Sequence, residues 1–345
     1  GSEEDDPTVV MVTGQSVTQL RADWIAACLA FNELLARQIL AQAFALFSLE
    51  MVCFELLQKA LGEIGEGWYE GRITVQQEHF ASALAIRQLE ALLNAAPPPT
   101  RSARVVVACA PEEQHTFSAL LITLLLRQRG LEVIYLGADV PPDRLETMLT
   151  AVHPQLLIIT AQTLHTAGRV PTIALLAQKT GTPMAYGGGV FTFIADIVPH
   201  IPAHFLGNDL RAVPQVVDHL LNNPQPAPRA QLASPAYELA LEQYTAQRTV
   251  IEADILESLS GLDVPIRYLK NANHNLGDNI QAALSLGDIN LLNNDLEWVN
   301  GLLINFHYRM PAEIMKPYMD AYRQAAERHL DARGKLLLDW FEGVN

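Results

Sequence analysis

A histidine near the middle of the chain has the position and the neighbour of a metal ligand. His115 follows the apolar run Arg104–Cys109, and residues 117–129 carry apolar side chains at helical spacing. These patterns predict a parallel strand, a loop and a helix, so His115 should lie at the carboxyl edge of an open α/β sheet, where such sheets bind ligands. Glu113, two positions earlier, can accept the proton of one ring nitrogen and leave the other nitrogen to a metal. A surface histidine without a ligand is the alternative.

The composition argues against several classes of protein. The chain has 345 residues, 50% of them hydrophobic, which is enough for about two or three domains. Its formal net charge is −15 and its basic residues form no stripe, so we expect no direct contact with nucleic acid. The three cysteines lie in apolar runs, which indicates reduced, buried thiols in a cytoplasmic protein. No apolar run reaches the roughly 18 residues that span a bilayer, and no secretory signal opens the chain, so we expect no membrane segment.

Proline-rich segments at residues 95–100 and 222–228 divide the chain into three blocks. Residues 16–96 have apolar residues at helical spacing, with breaks near Phe31, Ser48 and Gly71, which predicts a four-helix bundle. Residues 101–222 predict a doubly wound parallel α/β domain of the Rossmann or flavodoxin-like type. A linker at 223–233 precedes a predicted all-α domain at 234–345. Residues 1–15 are interpreted as the remnant of a tag followed by an acidic tail.

Five apolar runs and four helical patterns define the elements of the second and third blocks. The predicted strands are residues 104–109, 132–136, 156–160, 184–186 and 204–206. The predicted helices of the third block are residues 237–260, 266–286, 289–308 and 311–341.

The corner between the third and fourth helices of the first block carries polar and aromatic residues. Trp68 should lie in the last turn of the third helix, Gly71 ends it, and residues 74–77 have the form of a capping box that starts the fourth helix. Glu78 and His79 follow at once, so they should lie with Trp68 at one end of the bundle. In the alternative interpretation, Trp68 is a core residue and Glu78 simply favours a helix N-terminus.

Other polar residues could bind a ligand. Thr160 and the triplet Gly187, Gly188 and Gly189 follow two later strands, and glycines let a backbone approach a bulky group closely, although such a triplet is also a common turn. The third block gathers basic, histidine and aromatic side chains that could bind carboxylates, or that could be an ordinary solvated helix end. They are Arg267, Lys270, His274, His307, Tyr308 and Arg309.

The segment Glu113-Gln-His115, with Ser118, Thr160 and Gly187-Gly188, resembles the cobalamin-binding module of methionine synthase and its relatives. The resemblance implies that His115 is the lower axial ligand of cobalt and that the cofactor's tail passes Ser118, Thr160 and residues 187–189. This chain has Glu113 where the family has Asp, Ser118 where it has Gly, and Thr160-Ala-Gln162 where it has S-x-L. Ser118 adds a Cβ where the tail passes.

The spacing of Trp68 and Glu78-His79 is similar to that of the CarH-like adenosylcobalamin photoreceptors. The resemblance implies that Trp68 caps the adenosyl group, that Glu78 hydrogen-bonds it and that Val75 packs against it. Light would break the cobalt–carbon bond and change the domain arrangement and the oligomeric state of a homo-oligomer. Tyr69 replaces the family histidine that captures cobalt after photolysis, so we expect no bis-histidine product. We also expect the family's DNA-binding helices to be absent and the downstream effector to be a different one.

A sensor module followed by a helical segment resembles the photocobilins, which hold biliverdin as a second chromophore. This resemblance implies that Arg267 or Arg309 pairs with the bilin propionates and that His274 or His307 binds the pyrroles, with Lys270 and Tyr308 close by. The alternative function is a corrinoid methyl carrier of a methyltransferase system, which would share the His115 loop. Because a methyl carrier needs no adenosyl-sized site, Trp68 and Glu78 favour a sensor that is not an enzyme.

Overall fold

The computed structural model describes residues 15–293 and 312–343. The described residues form two compact units, residues 15–68 with 72–84 and residues 69–71 with 85–293 and 312–343. The cysteines are buried, and burial raises the pKa of the Cys28 and Cys53 thiols to about 12, as expected for thiols that serve in packing. Among the described residues, no helix has both the length and the apolar character to cross a membrane.

The N-terminal block is helical, as predicted. Its elements are α1 (Val17–Leu29), α2 (Glu33–Leu46), α3 (Leu49–Met51), a π-helical segment (Val52–Gln58), α4 (Lys59–Tyr69) and α5 (Val75–Asn94). The predicted breaks are confirmed by local chemistry: Phe31 and Gly71 have positive φ angles of 53° and 71°, and the Ser48 hydroxyl accepts a hydrogen bond from Met51 N. The arrangement of these helices as a four-helix bundle stays a prediction.

The middle block is a five-stranded parallel sheet with the strand order β2-β1-β3-β4-β5. The strands are β1 (Arg104–Cys109), β2 (Glu132–Gly137), β3 (Leu156–Thr160), β4 (Met184–Gly187) and β5 (His204–Phe205). The predicted parallel α/β fold of this block is therefore confirmed, with β1 and β3 at the predicted bounds. Because β1 lies between β2 and β3, the strand order reverses beside it, and a doubly wound sheet binds ligands at the carboxyl end of such a switch point.

Helices cover both faces of this sheet. They are α6 (Phe117–Gln128), α7 (Leu145–Val152), α8 (Leu164–Ala167), α9 (Val170–Lys179), α10 (Gly189–Phe193) and α11 (Val213–Asn222). Val105 and Val107 of β1 belong to one apolar core with α6 and α11, while Val106 and Ala108 belong to a second core with α7 and α9. The side chains of β1 thus alternate between two buried layers, which explains its continuous apolar sequence.

The C-terminal block is helical among its described residues, with α12 (Pro235–Ser258), α13 (Ile266–Leu286), α14 (Met315–His329) and α15 (Lys335–Gly343). Helix α13 has the predicted bounds. The prediction of one helix over 311–341 was wrong, because Leu330 is extended and the Asp331 carboxylate accepts a hydrogen bond from Arg333 N, which starts a 3-10 turn at Ala332–Gly334. Most of the predicted helix 289–308 lies outside the described residues.

Helix α13 packs directly on the α/β domain. A Cβ atom at Gly168, the residue after α8, would lie 2.7 Å from Ala282 Cα, so the two backbones meet without a side chain between them. The Ser285 hydroxyl donates a hydrogen bond of 3.2 Å to the Gly168 carbonyl oxygen. The second apolar core continues into α12, α13, α14 and α15. The C-terminal helices and one layer of the sheet therefore share a single core.

Candidate functional site

The His115 imidazole is held through one nitrogen by the Glu113 carboxylate. His115 Nδ1 lies 2.7 Å from Glu113 Oε1, and His115 N donates to the same oxygen at 2.8 Å. The His115 side chain is 69% exposed, whereas Glu113 is only 1% exposed. A carboxylate on Nδ1 favours the tautomer with its proton there, which leaves the lone pair of a neutral imidazole on Nε2.

Glu113 is also bound to the next loop of the sheet. Its Oε2 accepts hydrogen bonds of 2.7 Å from Gln162 N and from the Thr166 hydroxyl. Burial alone would raise the pKa of Glu113, but the hydrogen bonds from His115 and Thr166 outweigh it and hold the pKa below the ordinary glutamate value. The side chain is therefore a buried, ionised carboxylate that joins the loop after β1 to the loop after β3.

Sequence reasoning missed Gln162 and Thr166 as partners of Glu113. Gln162 contributes its backbone nitrogen, which no residue type reveals. Thr166 is also the N3 residue of a capping box with Thr163. Because capping alone accounts for a threonine at this position, the sequence does not indicate its contact with Glu113. The pairing of β1 with β3, which residue types and spacing did not predict, is what brings the two loops together.

The neighbouring glutamate has a different environment. Glu112 has a positive φ of 67°, and its half-exposed carboxylate binds His165 Nε2 and Arg169. Although partial burial acts to raise it, the pKa of Glu112 is lowered by these two partners. The left-handed backbone thus turns two successive carboxylates toward two different histidines, and only Glu113 is buried.

The other residues predicted to line the cofactor's tail lie at the same edge of the sheet. Gly188 follows β4 with φ 136° and ψ 164°, a conformation that is essentially restricted to glycine. A Cβ at Gly188 would lie 1.8 Å from the Ala161 carbonyl oxygen, so the glycine lets the loops after β3 and β4 touch. Ser118 is half-buried in the first turn of α6. The Thr160 hydroxyl is buried and donates to Cys109 Sγ at 3.5 Å, within the sheet.

The corner around Trp68 has the predicted local structure. Trp68 lies in the last turn of α4. Thr74 and Gln77 form the predicted capping box: Thr74 N donates a hydrogen bond of 2.9 Å to Gln77 Oε1, and Gln77 N donates one of 3.3 Å to Thr74 Oγ1. Glu78 accepts a 2.6 Å hydrogen bond from the Ser82 hydroxyl, and its other oxygen contacts His79 Nδ1. The Glu78 carboxylate is therefore fixed in the first turn of α5.

Two further residues of this corner differ in exposure. Val75, the first residue of α5, is exposed, and Tyr69, the last residue of α4, is half-buried. Both side chains can thus be reached from solvent. Their predicted places beside an adenosyl group stay predictions.

The residues predicted to bind a bilin lie on α13 or outside the described part of the chain. Arg267, Lys270 and His274 are exposed on α13, with the Arg267 guanidinium 4.8 Å from the centroid of the Tyr268 ring. His274 Nε2 lies 3.4 Å from Asp278 Oδ2. The remaining three lie outside the described residues, and they are His307, Tyr308 and Arg309.

The residues of the α/β domain fit a corrinoid. A corrin supplies its own equatorial nitrogens to cobalt, so the protein needs to offer only one axial donor, and an exposed imidazole oriented by a buried carboxylate is such a donor. Gln162 Nε2, beside this pair, is buried without a hydrogen-bond partner among the described residues. An unsatisfied buried donor indicates a place where a bound molecule would supply an acceptor.

Known protein families match both of these regions. Residues 20–93 match a family described as a B12 binding domain, and residues 103–201 match a second family with the same description. The first match covers the N-terminal helices, and the second covers β1 to β4 with the His115 loop. Two segments of the chain, one helical and one of the α/β type, are therefore each similar to a family described as a B12 binding domain.

Two relatives extend this assignment. The HTH-type transcriptional repressor CarH of Myxococcus xanthus is 34% identical over 134 residues, which are 39% of this chain and 44% of CarH. The repressor CarA of the same organism is 29% identical over 35% of this chain and 41% of CarA. The match spans less than half the length of either relative. The chain is similar to CarH and CarA in that part, and the absence of contact with nucleic acid stays a prediction.

A solved structure confirms the fold. The monomethylamine corrinoid protein of Methanosarcina barkeri superposes with a TM-score of 0.52 at 14% identity, covering 59% of this chain and 98% of that protein. At this identity, the likeness shows a shared fold of helical and α/β domains and no more.

Removal of the Glu113 carboxylate should destabilise the protein even without a cofactor. Glu113→Ala leaves His115 N and Gln162 N without their acceptor and removes the shorter of the two hydrogen bonds available to the Thr166 hydroxyl, so we expect the free energy of unfolding to fall by about 2–4 kcal/mol. Glu112→Ala, at the exposed neighbour, should change it by less than about 1 kcal/mol. Urea unfolding of the two variants measures both values, and equal losses would contradict the role assigned to Glu113.

The contact between Gly188 and Ala161 should tolerate no side chain. Gly188→Ala combines a glycine-only backbone with a 1.8 Å clash against a carbonyl oxygen, so we expect a loss of about 3 kcal/mol or more. The control is Gly181→Ala, where φ is +69° but nothing lies within 4 Å, and where about 1–2 kcal/mol should be lost. Thermal and urea unfolding measure the difference, and a Gly188 variant as stable as the Gly181 variant would refute the argument.

Proposed function

We propose that the chain is a light-sensing module that binds adenosylcobalamin, with His115 as the lower axial ligand of cobalt. The observation that carries the proposal is the buried Glu113 carboxylate on His115 Nδ1, which presents Nε2 of an exposed ring at the switch point of the sheet. Similarity to CarH and to the two families described as B12 binding domains supports it.

The residues of the loop have separate tasks in this proposal. When bound, the cofactor supplies a weak cobalt–carbon bond that visible light can break. Glu113 keeps the proton of His115 on Nδ1 and holds the ring in place, while Gln162 N and the Thr166 hydroxyl keep Glu113 ionised in a buried site. Gly188 brings the loop after β4 against the loop after β3, and with Ser118 it borders the path proposed for the tail.

We assign the adenosyl side of the cofactor to the helical domain. Trp68 offers an aromatic surface at the end of α4, and the Glu78 carboxylate is oriented by Ser82 so that it can accept hydrogen bonds from ribose or adenine. Val75 would pack against the same group. Loss of the adenosyl group would remove the contacts that favour one arrangement of the domains. A ligand shifts a two-state equilibrium in this way, and in a homo-oligomer the shift can change the assembly.

A second chromophore belongs to the same proposal. Arg267, Lys270 and His274 give α13 an exposed row of donors that could bind the propionates and pyrroles of biliverdin. A far-red absorption band after incubation of the apoprotein with biliverdin would support this part, and a spectrum of free biliverdin alone would remove it.

A corrinoid methyl carrier is the second candidate function. It is favoured by the shared fold of the Methanosarcina barkeri monomethylamine corrinoid protein, and it would use the same His115 loop. The two functions differ in the upper ligand, because a methyl group needs no contact with Trp68 or Glu78.

Substitution of His115 should weaken corrinoid binding and change the axial ligand. We expect His115→Ala to bind cobalamin at least about tenfold more weakly, because a nitrogen ligand of cobalt is lost. In wild-type protein labelled with nitrogen-15, the axial splitting in the electron paramagnetic resonance spectrum of the reduced corrinoid should change from a triplet to a doublet. His219→Ala, at an exposed histidine of α11, is the control. A triplet in the labelled protein would show that the cofactor keeps its own base.

Light should act through the adenosyl group. Protein loaded with adenosylcobalamin in darkness should change both its absorption spectrum and its mass in solution after green light, as measured by size exclusion with light scattering. Trp68→Ala should bind adenosylcobalamin more weakly but hydroxocobalamin unchanged, because only the first carries the group that the ring contacts. Glu66→Ala, exposed on the same helix, is the control. Photolysis without any change in mass would contradict the sensor and favour the methyl carrier.

A further inference from the structure

A cavity of about 510 Å³ lies between the α/β domain and helix α13. The loop after β3 and helix α10 form one side, with Gln162 and Gly189 among the lining residues, and the middle of α13 forms the other side. Sites for small molecules in proteins have volumes of roughly 300–1,000 Å³, so this cavity has the size of a ligand site. Of the residues assigned above to the cofactor, it shares only Gln162 and Gly189, and of those assigned to the bilin it shares only His274.

The side formed by the α/β domain is mainly apolar. Leu164, Val190 and Ile194 are almost fully buried beneath it, and Phe193 stands at its edge with 70% of its surface exposed. An exposed phenylalanine beside buried aliphatic residues suits a flat, apolar ring system, which would cover the phenyl ring and gain the free energy of its burial.

The side formed by α13 is polar and fixed. His274, Asn275 and Asp278 line it. Arg248 on α12 donates a 2.6 Å hydrogen bond from Nη1 to Asp278 Oδ1. The Arg248 side chain passes over Gly277, and only a glycine leaves room for it there, because a Cβ atom would lie 2.6 Å from Arg248 Nε. Asp278 Oδ2 is therefore the oxygen left toward His274, 3.4 Å from its Nε2. This side can accept hydrogen bonds from N–H groups of a ligand.

The charges of the lining disfavour anions. None of the described residues that line the cavity is lysine or arginine. Asp278 contributes a carboxylate that lies between Arg248 and the cavity, Asn275 contributes a neutral amide, and His165 and His274 contribute imidazoles. Like charges at close range in a partly buried site repel, whereas an uncharged ring with N–H and carbonyl groups meets donors and acceptors on α13.

We infer that this cavity is a second ligand site, which binds an uncharged, planar nitrogen heterocycle between the apolar side of the α/β domain and the polar side of α13. The site goes beyond the proposed cobalamin function, because it needs neither His115 nor a metal. It makes the C-terminal helices a ligand-binding part of the protein, with Asp278 as the residue that excludes anions.

Riboflavin and flavin mononucleotide test the inference, since they share one ring system and differ by a phosphate. Quenching of riboflavin fluorescence by the full chain should be saturable, and flavin mononucleotide should bind about tenfold more weakly, a difference of about 1.4 kcal/mol. Asp278→Asn should reduce this ratio. Equal affinities of wild-type protein for the two flavins would overturn the charge argument.

Two substitutions on α13 locate the site independently of Asp278. Asn275→Trp should fill the cavity and abolish riboflavin binding, whereas Ile266→Trp, exposed on the same helix but outside the lining, should leave it unchanged. His115→Ala should also bind riboflavin as wild type does, which separates this site from the cobalt site. Binding that survives Asn275→Trp, or competition by cobalamin or biliverdin for riboflavin, would refute a separate site for an uncharged ring.

Discussion

The candidate site depends on one buried carboxylate. Glu113 is 1% exposed, and it stays ionised there because His115 and Thr166 donate hydrogen bonds to it and lower its pKa against the effect of burial. A buried charge with all its partners present is rigid, since the loss of any partner would leave part of a charge unsolvated. This rigidity is what turns an otherwise exposed imidazole into an oriented donor.

The sheet topology makes this interaction possible. Cys109 and Thr160, the last residues of β1 and β3, are partners in the parallel register, so both strands end at the same height and their loops begin side by side. Thr160 also pairs with Gly187 of β4, and helix α8 begins at Leu164, four residues after Thr160. This short connection brings Thr166 within reach of Glu113. A register shift of one residue between β1 and β3 would turn the side chain of Cys109 or of Thr160 to the other face of the sheet.

The sequence predicted local elements better than contacts between them. Strands β1 and β3, helix α13 and the capping box at Thr74 follow from residue types and spacing, because strand propensity, helical periodicity and capping are local properties. The break at 330–334 was missed because the turn that starts at Asp331 interrupts an otherwise helical pattern. The contacts of Glu113 with Gln162 and Thr166 and the cavity beside α13 were missed for a different reason. They join segments that are far apart in the chain, and no periodicity encodes such contacts.

The close contact of Gly168 with Ala282 connects the C-terminal helices to the candidate site through helix α8. Helix α8 supplies Thr166 to Glu113 at its third position and meets α13 immediately after its last residue, so a four-residue helix touches both the ligand-orienting carboxylate and the C-terminal core. Any displacement of Glu113 large enough to break its bond with Thr166 must either move α8 against α13 or leave the buried Thr166 hydroxyl with the more distant Thr163 carbonyl oxygen, 3.2 Å away, as its acceptor. Because protein interiors are close-packed, a movement of α8 would displace α13 directly, without a mobile linker between them.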